Sequence, residues 1–214
     1  ADSGSQTVHA LDLDVSGTLN IDDTSKIDLD GKGYPSSNWS GPDFSAGTRR
    51  GCHGGLSSQA ADDCTYGRYE QARFAGSGSH STRGGGVADI HAGEVVLDGL
   101  IRANGQVGYY WDGNDGAGGA GGGLHLETAR LSGDGELQAN GGGNHLNNTS
   151  SGNAGGGGRI SVIVTDRSDF SGVMGTAQGV GRAAGAGTVY VKSPLEAHGH
   201  LRVNKGGYIS PTKR

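Results

Sequence analysis

The densest run of potential oxygen ligands in this sequence is Asp12-Leu13-Asp14-Val15-Ser16-Gly17-Thr18-Leu19-Asn20-Ile21-Asp22-Asp23. Asp12, Asp14 and Ser16 take the first, third and fifth places of a calcium loop, a glycine the sixth, an aliphatic the eighth and Asp23 the twelfth. That last place carries Asp instead of the longer Glu, and the flanks alternate like strands, so a chance match is the better reading of an isolated motif. Asp28 with Asp30, or Asp112 with Asp115, are further surface candidates for the same ion. No cofactor is expected, and calcium is the single candidate.

Nucleophilic and general-base chemistry finds less support. The eight histidines show no metal-ligand spacing. His53 alone sits in a distinctive loop, between Cys52 and Gly54, and reads as loop structure rather than as a base. Gly76-Ser77-Gly78-Ser79 lacks the strand-to-helix elbow that makes such a serine reactive. Glu94, Asp98, Asp134 and Glu136 recur at the flanks of a repeat, which suits solvated faces better than a paired-carboxylate cleft. The chain is therefore expected not to be an enzyme. A polysaccharide-degrading enzyme stays as an alternative.

Aromatic residues offer a different chemistry. Tyr109-Tyr110-Trp111, with Trp39, forms the expected binding surface, since such rings stack on sugars or anchor a partner. Cys52 and Cys64 lie close in a polar, Gly- and Ser-rich stretch and are expected to form a disulfide; zinc would need further ligands that the spacing does not supply. Asn38, Asn147 and Asn148 head N-glycosylation sequons in turn-rich segments. Disulfide and sequons together place the chain outside the cell or on its surface.

The elements that must position these residues follow from composition and repetition. The 214 residues include 45 glycines, about three times ordinary usage, and only four prolines without a collagen period. With 32% hydrophobic residues, a thin shared core is easier to build than a thick one. A net charge of −5 without a basic run excludes a nucleic-acid footprint. No apolar stretch approaches the roughly 18 residues of a membrane span. The start at Ala1-Asp2-Ser3 reads as a mature or excised terminus, and the strand-like end near Tyr208-Ile209 suggests a piece of something longer.

One phrase recurs: Gly99-Leu100-Ile101-Arg102-Ala103-Asn104, Gly135-Glu136-Leu137-Gln138-Ala139-Asn140 and Gly199-His200-Leu201-Arg202-Val203-Asn204, with a degenerate copy at Gly172-Val173-Met174. Its glycines fall 36 residues apart from Gly99 to Gly135 and 37 from Gly135 to Gly172. Glycine runs precede alternating segments at Val87–Ile90, Leu124–Glu127, Arg159–Val164 and Thr188–Val191, which is a strand signature. Each unit reads as strand, turn, strand and glycine connector, with almost no helix. Stacked units would share a narrow interior formed by Leu19, Ile21, Ile27, Leu29, Ile101, Ala103, Leu124, Leu126, Leu137, Ala139, Ile160, Val162, Val164, Val189, Val191, Leu201 and Val203. Asn104, Asn140 and Asn204 would turn the chain and bond along the stack.

Gly51-Cys52-His53-Gly54-Gly55, the triple glycines before strands and Gly-x-Leu-x-Ala-Asn-Gly-Gly resemble the glycine-rich repeat regions of large secreted or cell-surface β-helical proteins, over about residues 50–192. The resemblance implies an extracellular repeat scaffold and transfers no active site. The expected fold is all-β, a glycine-rich β-solenoid and a right-handed parallel β-helix. An antiparallel β-sandwich with polyproline-II-like glycine segments is the alternative. Residues 1–214 would form one elongated domain with a disulfide-bearing loop insertion at about 35–82. The expected function is a structural or assembly scaffold of matrix, appendage or filament, self-associating or bound to other surface proteins. A glycan-binding adhesin is a further alternative.

Overall fold

The computed structural model describes residues 8–35, 51–58, 64–79, 82–109, 116–144 and 152–203. Ten strands and no helix occur among them. The longer strands are β1 (Ala10–Ile21), β3 (Val87–Leu97), β5 (Gly123–Ser132), β7 (Arg159–Asp166) and β9 (Thr188–Lys192). The three-residue strands are β2 (Lys26–Asp28), β4 (Leu100–Arg102), β6 (Glu136–Gln138), β8 (Val173–Gly175) and β10 (His200–Arg202). They sort into a six-stranded sheet, β1-β3-β5-β7-β9-β10, and a four-stranded sheet, β2-β4-β6-β8. Every pairing is parallel except that of β10 on β9.

Alternation decides which side chains meet. In a strand, every second side chain points to the same face, and parallel register aligns those faces across the sheet. One inward row of the large sheet is Leu13, Ile90, Leu126, Val162 and Val191, and the next is Leu11, Ala88, Leu124, Ile160 and Val189. The small sheet contributes Ile27, Ile101, Leu137 and Met174 in register. These rows join a single apolar cluster that also takes in Val95, Leu97, Leu131 and Phe170. Burying each large aliphatic contributes about 1.5–3 kcal/mol. β1 carries one extra residue between Val15 and Thr18 relative to β3, a bulge that bends the strand at the sheet edge.

This arrangement corrects the expected right-handed parallel β-helix. The strands form two separate sheets of unequal size, and the larger one is mixed in direction. The antiparallel sandwich is corrected too, because parallel pairs dominate both sheets. The physical reason lies in the glycine connectors, which join neither sheet. A strand bonds to two neighbours, whereas the 116–122 segment bonds to the chain at Ser77, Gly85, Gln106, Gly142 and Gly156, at 2.8–3.0 Å. These glycines lie so close to one another that no side chain fits. An added Cβ would lie 1.9 Å from the Gly86 oxygen at Gly122, 2.1 Å from that of Gly122 at Gly158, and 1.9 Å from that of Gly158 at Gly187. The runs are thus a hydrogen-bonded bundle beside the sheets.

The recurrent asparagines bond along the stack through their side-chain oxygens. The Asn104 N–H donates to Asp30 Oδ1 at 2.7 Å, the Asn140 N–H to Asn104 Oδ1 at 2.8 Å, and the Ala177 N–H to Asn140 Oδ1 at 2.8 Å. Leu201 and Val203 depart from the expected interior, being 45% and 65% exposed. This copy of the phrase reverses direction and lies antiparallel on β9, opposite Tyr190, instead of extending the small sheet. Asn204 lies outside the described residues.

Candidate functional site

The outward face of the six-stranded sheet gathers most of its ionisable side chains in two adjacent rows. Parallel register puts Asp12, Asp89, His125, Ser161 and Tyr190 in one, and Asp14, His91, Glu127, Ile163 and Lys192 in the next. Neighbouring members of a row are about 4.8 Å apart and the two rows about 6.6 Å, within reach of side-chain contact. Asp89, His91 and His125 each offer one ligand-type atom, and these atoms lie within 4.8 Å of one another.

Around them the outer atoms are held. Arg73, from the 64–79 segment, pairs its Nε with Asp89 Oδ2 at 2.8 Å and brings Nη2 to 3.5 Å from His91 Nε2. His91 Nδ1 faces Glu127 Oε2 at 3.6 Å. His91 Nε2 and Asp89 Oδ1 are 3.2 Å apart but out of line for a hydrogen bond, and Asp89 Oδ1 is buried without such a partner. His125 is 3% exposed, and its Nδ1 is likewise buried and unpartnered. Burial, with a smaller contribution from the Arg73 charge, pushes the His125 imidazole below the usual histidine range, so it is neutral at pH 7. A cavity of about 400 Å³ adjoins the cluster, lined in part by Asp14, Ser16, His91, Glu127, Thr128 and Pro194.

Asp12, Asp14 and Ser16 lie along β1, and Asp23 lies in the turn beyond it. A strand rises about 3.3 Å per residue, so the structure does not bring Asp12 and Asp23 round one ion. It brings Asp12 beside Asp89 and Asp14 beside His91 instead. The histidine cluster escapes local motif reading because its members come from two strands. The signal was the repeat offset itself: His125 follows Asp89, and Glu127 follows His91, by one 36-residue unit.

Cys52 and Cys64 form a disulfide, with Cα atoms 5.8 Å apart. Both are buried where the 51–58 and 64–79 segments meet the glycine bundle. Beneath the disulfide, His53 donates from Nδ1 to the Gly121 oxygen at 2.9 Å, and its ring lies 4.8 Å from that of Tyr66. Complete burial pushes His53 down to about 3, so this imidazole is neutral. Tyr66 in turn donates to the Ala75 oxygen at 2.6 Å. These contacts assign His53 to packing.

Tyr109 is 61% exposed. Its partners in the expected aromatic surface, Trp39, Tyr110 and Trp111, and the sequon residues Asn38, Asn147 and Asn148, lie outside the described residues, as do Asp112 and Asp115. Among the described residues no helix is long and apolar enough to cross a membrane. Compared with protein-family models, curated proteins and solved structures, the chain matches none.

Proposed function

We propose that this chain is a non-enzymatic structural and assembly module that works outside the cell or on its surface. The observation that carries the reading is the shared end of the two sheets. β1 and β2 are terminal strands of the large and small sheet and follow one another in the chain. Among the described residues each pairs on one side only, β1 with β3 and β2 with β4. A twelve-residue edge strand presents a row of backbone donors and acceptors to any chain that can pair with it. The disulfide between buried cysteines supports an oxidising compartment, and the three sequons agree with it. Light scattering and electron microscopy across a concentration series test the reading. Growth of ordered assemblies, with slowed amide exchange in β1, supports it. A chain that stays monomeric at millimolar concentration, or that turns over an acidic polysaccharide, overturns it.

The exposure of Tyr109 favours a second reading, a glycan-binding adhesin. Binding on a glycan array that is lost in Tyr109→Ala supports this alternative, and an array without signal removes it.

A further inference from the structure

We propose that Asp89, His91 and His125 form a binding site for one divalent transition-metal ion of the zinc, copper and nickel class. The site goes beyond the assembly reading and stands independently of it. Two imidazoles and a carboxylate suit these ions, whereas calcium and magnesium take oxygen ligands.

The geometry argues for a cation between these groups. His91 directs Nδ1 toward Glu127 Oε2, 3.6 Å away. Its Nε2 faces Asp89 Oδ1 across 3.2 Å, with no hydrogen-bond alignment. The Arg73 guanidinium lies beside both groups, on Asp89 Oδ2 at 2.8 Å and 3.5 Å from His91 Nε2, and leaves Asp89 Oδ1 without a hydrogen bond. Ligand atoms around a tetrahedral ion with bonds of about 2.0–2.1 Å lie about 3.4 Å apart, which matches the 3.2 Å between His91 Nε2 and Asp89 Oδ1. All three ligand atoms lie within 4.8 Å of one another. His125 brings an independent observation: the ring is 97% buried, taking its 3% exposure from the whole, and its Nδ1 has no partner. A polar ring nitrogen so placed costs free energy unless something binds it.

The outer atoms are already positioned as outer contacts of a metal site are. Glu127 Oε2 lies 3.6 Å from the second nitrogen of His91, on the side from which a carboxylate can orient a ligating ring. Arg73 holds the second oxygen of Asp89. The Arg73 charge opposes a cation, but Asp12, Asp14, Asp89 and Glu127 outnumber it on the same face.

Titration of the chain, stripped of metal, with Zn²⁺ alone and with Cu²⁺ alone tests the site at pH 7.5. One equivalent should bind, and His91→Ala should weaken binding at least tenfold. Glu127→Gln should weaken it about tenfold, the usual loss when such an outer contact is removed. His91 and Glu127 are partly exposed, so these variants keep their fold even where His125→Ala does not, and unchanged melting without metal checks that. The Cu²⁺ paramagnetic resonance spectrum should carry splitting from two imidazole nitrogens. Absence of stoichiometric uptake, equal affinity in His91→Ala, or a spectrum without two nitrogens overturns the proposal.

Discussion

Replacing Gly122 by alanine tests the glycine bundle at one atom. The new Cβ would lie 1.9 Å from the Gly86 oxygen, while real Cβ atoms essentially never come within 3.0 Å of a neighbour, so the backbone must part by about 1.1 Å. The contact is with backbone rather than with a flexible side-chain end, and Gly122 also donates to the Ala103 oxygen at 2.7 Å and accepts from the Arg159 N–H at 2.9 Å. Overpacking a tight interior costs about 1–3 kcal/mol, and leaving one buried backbone group unpaired adds about 1–3 kcal/mol. The expected loss is therefore about 2–6 kcal/mol, a large share of the roughly 5–15 kcal/mol that holds a typical domain together. At about 2–4 °C per kcal/mol for a chain of this length, Tm should fall by roughly 5–20 °C. Gly17→Ala is the control, because nothing lies within 4 Å of its Cβ position. Urea denaturation of both variants against the parent is the assay. Gly122→Ala within about 0.5 kcal/mol of Gly17→Ala would refute the close-packed bundle.

Three further outcomes follow from the same contacts. His53 is held near 3 in the fold against about 6.5 when unfolded, so the unfolded chain binds more protons between those values. Stability should be full above pH 6.5 and fall by several kcal/mol toward pH 3, and His53→Asn should flatten that slope in denaturation series; an unchanged slope contradicts the assignment. Reducing Cys52–Cys64 opens a loop of sequence separation 12 and should cost about 3 kcal/mol, read from denaturation with and without reductant. Asn140→Ala leaves the Ala177 N–H without its acceptor and should cost about 1–3 kcal/mol, while Asn140→Asp, which keeps an acceptor oxygen, should cost less.

The sequence made the strands legible where glycine bounded an alternating run, as in Leu124-His125-Leu126, because period-two patterning is local. It also made the register legible at Ile101 and Leu137, since a fixed offset of 36 residues can stack only one way round. Met174 joins that row despite its degenerate surroundings. Leu201 matched the same phrase and failed to join, because direction depends on the chain that follows a turn and not on the phrase itself. The glycine runs looked like connectors, and nothing local announces that a segment without Cβ atoms can bond to chain on many sides at once. The histidine cluster was hidden for a related reason: Asp89 and His125 meet only after two strands align, so no short motif contains both.

The claim beneath all of this is that units some 36 residues apart lie in parallel register over one apolar cluster. Nuclear Overhauser contacts between methyl groups in solution test it most directly. The account predicts a chain of contacts from Ile101 to Leu137 to Met174, and another from Ile90 to Leu126 to Val162. Methyls of Ile101 and Leu137 that show contacts to other residues but none to each other would contradict it.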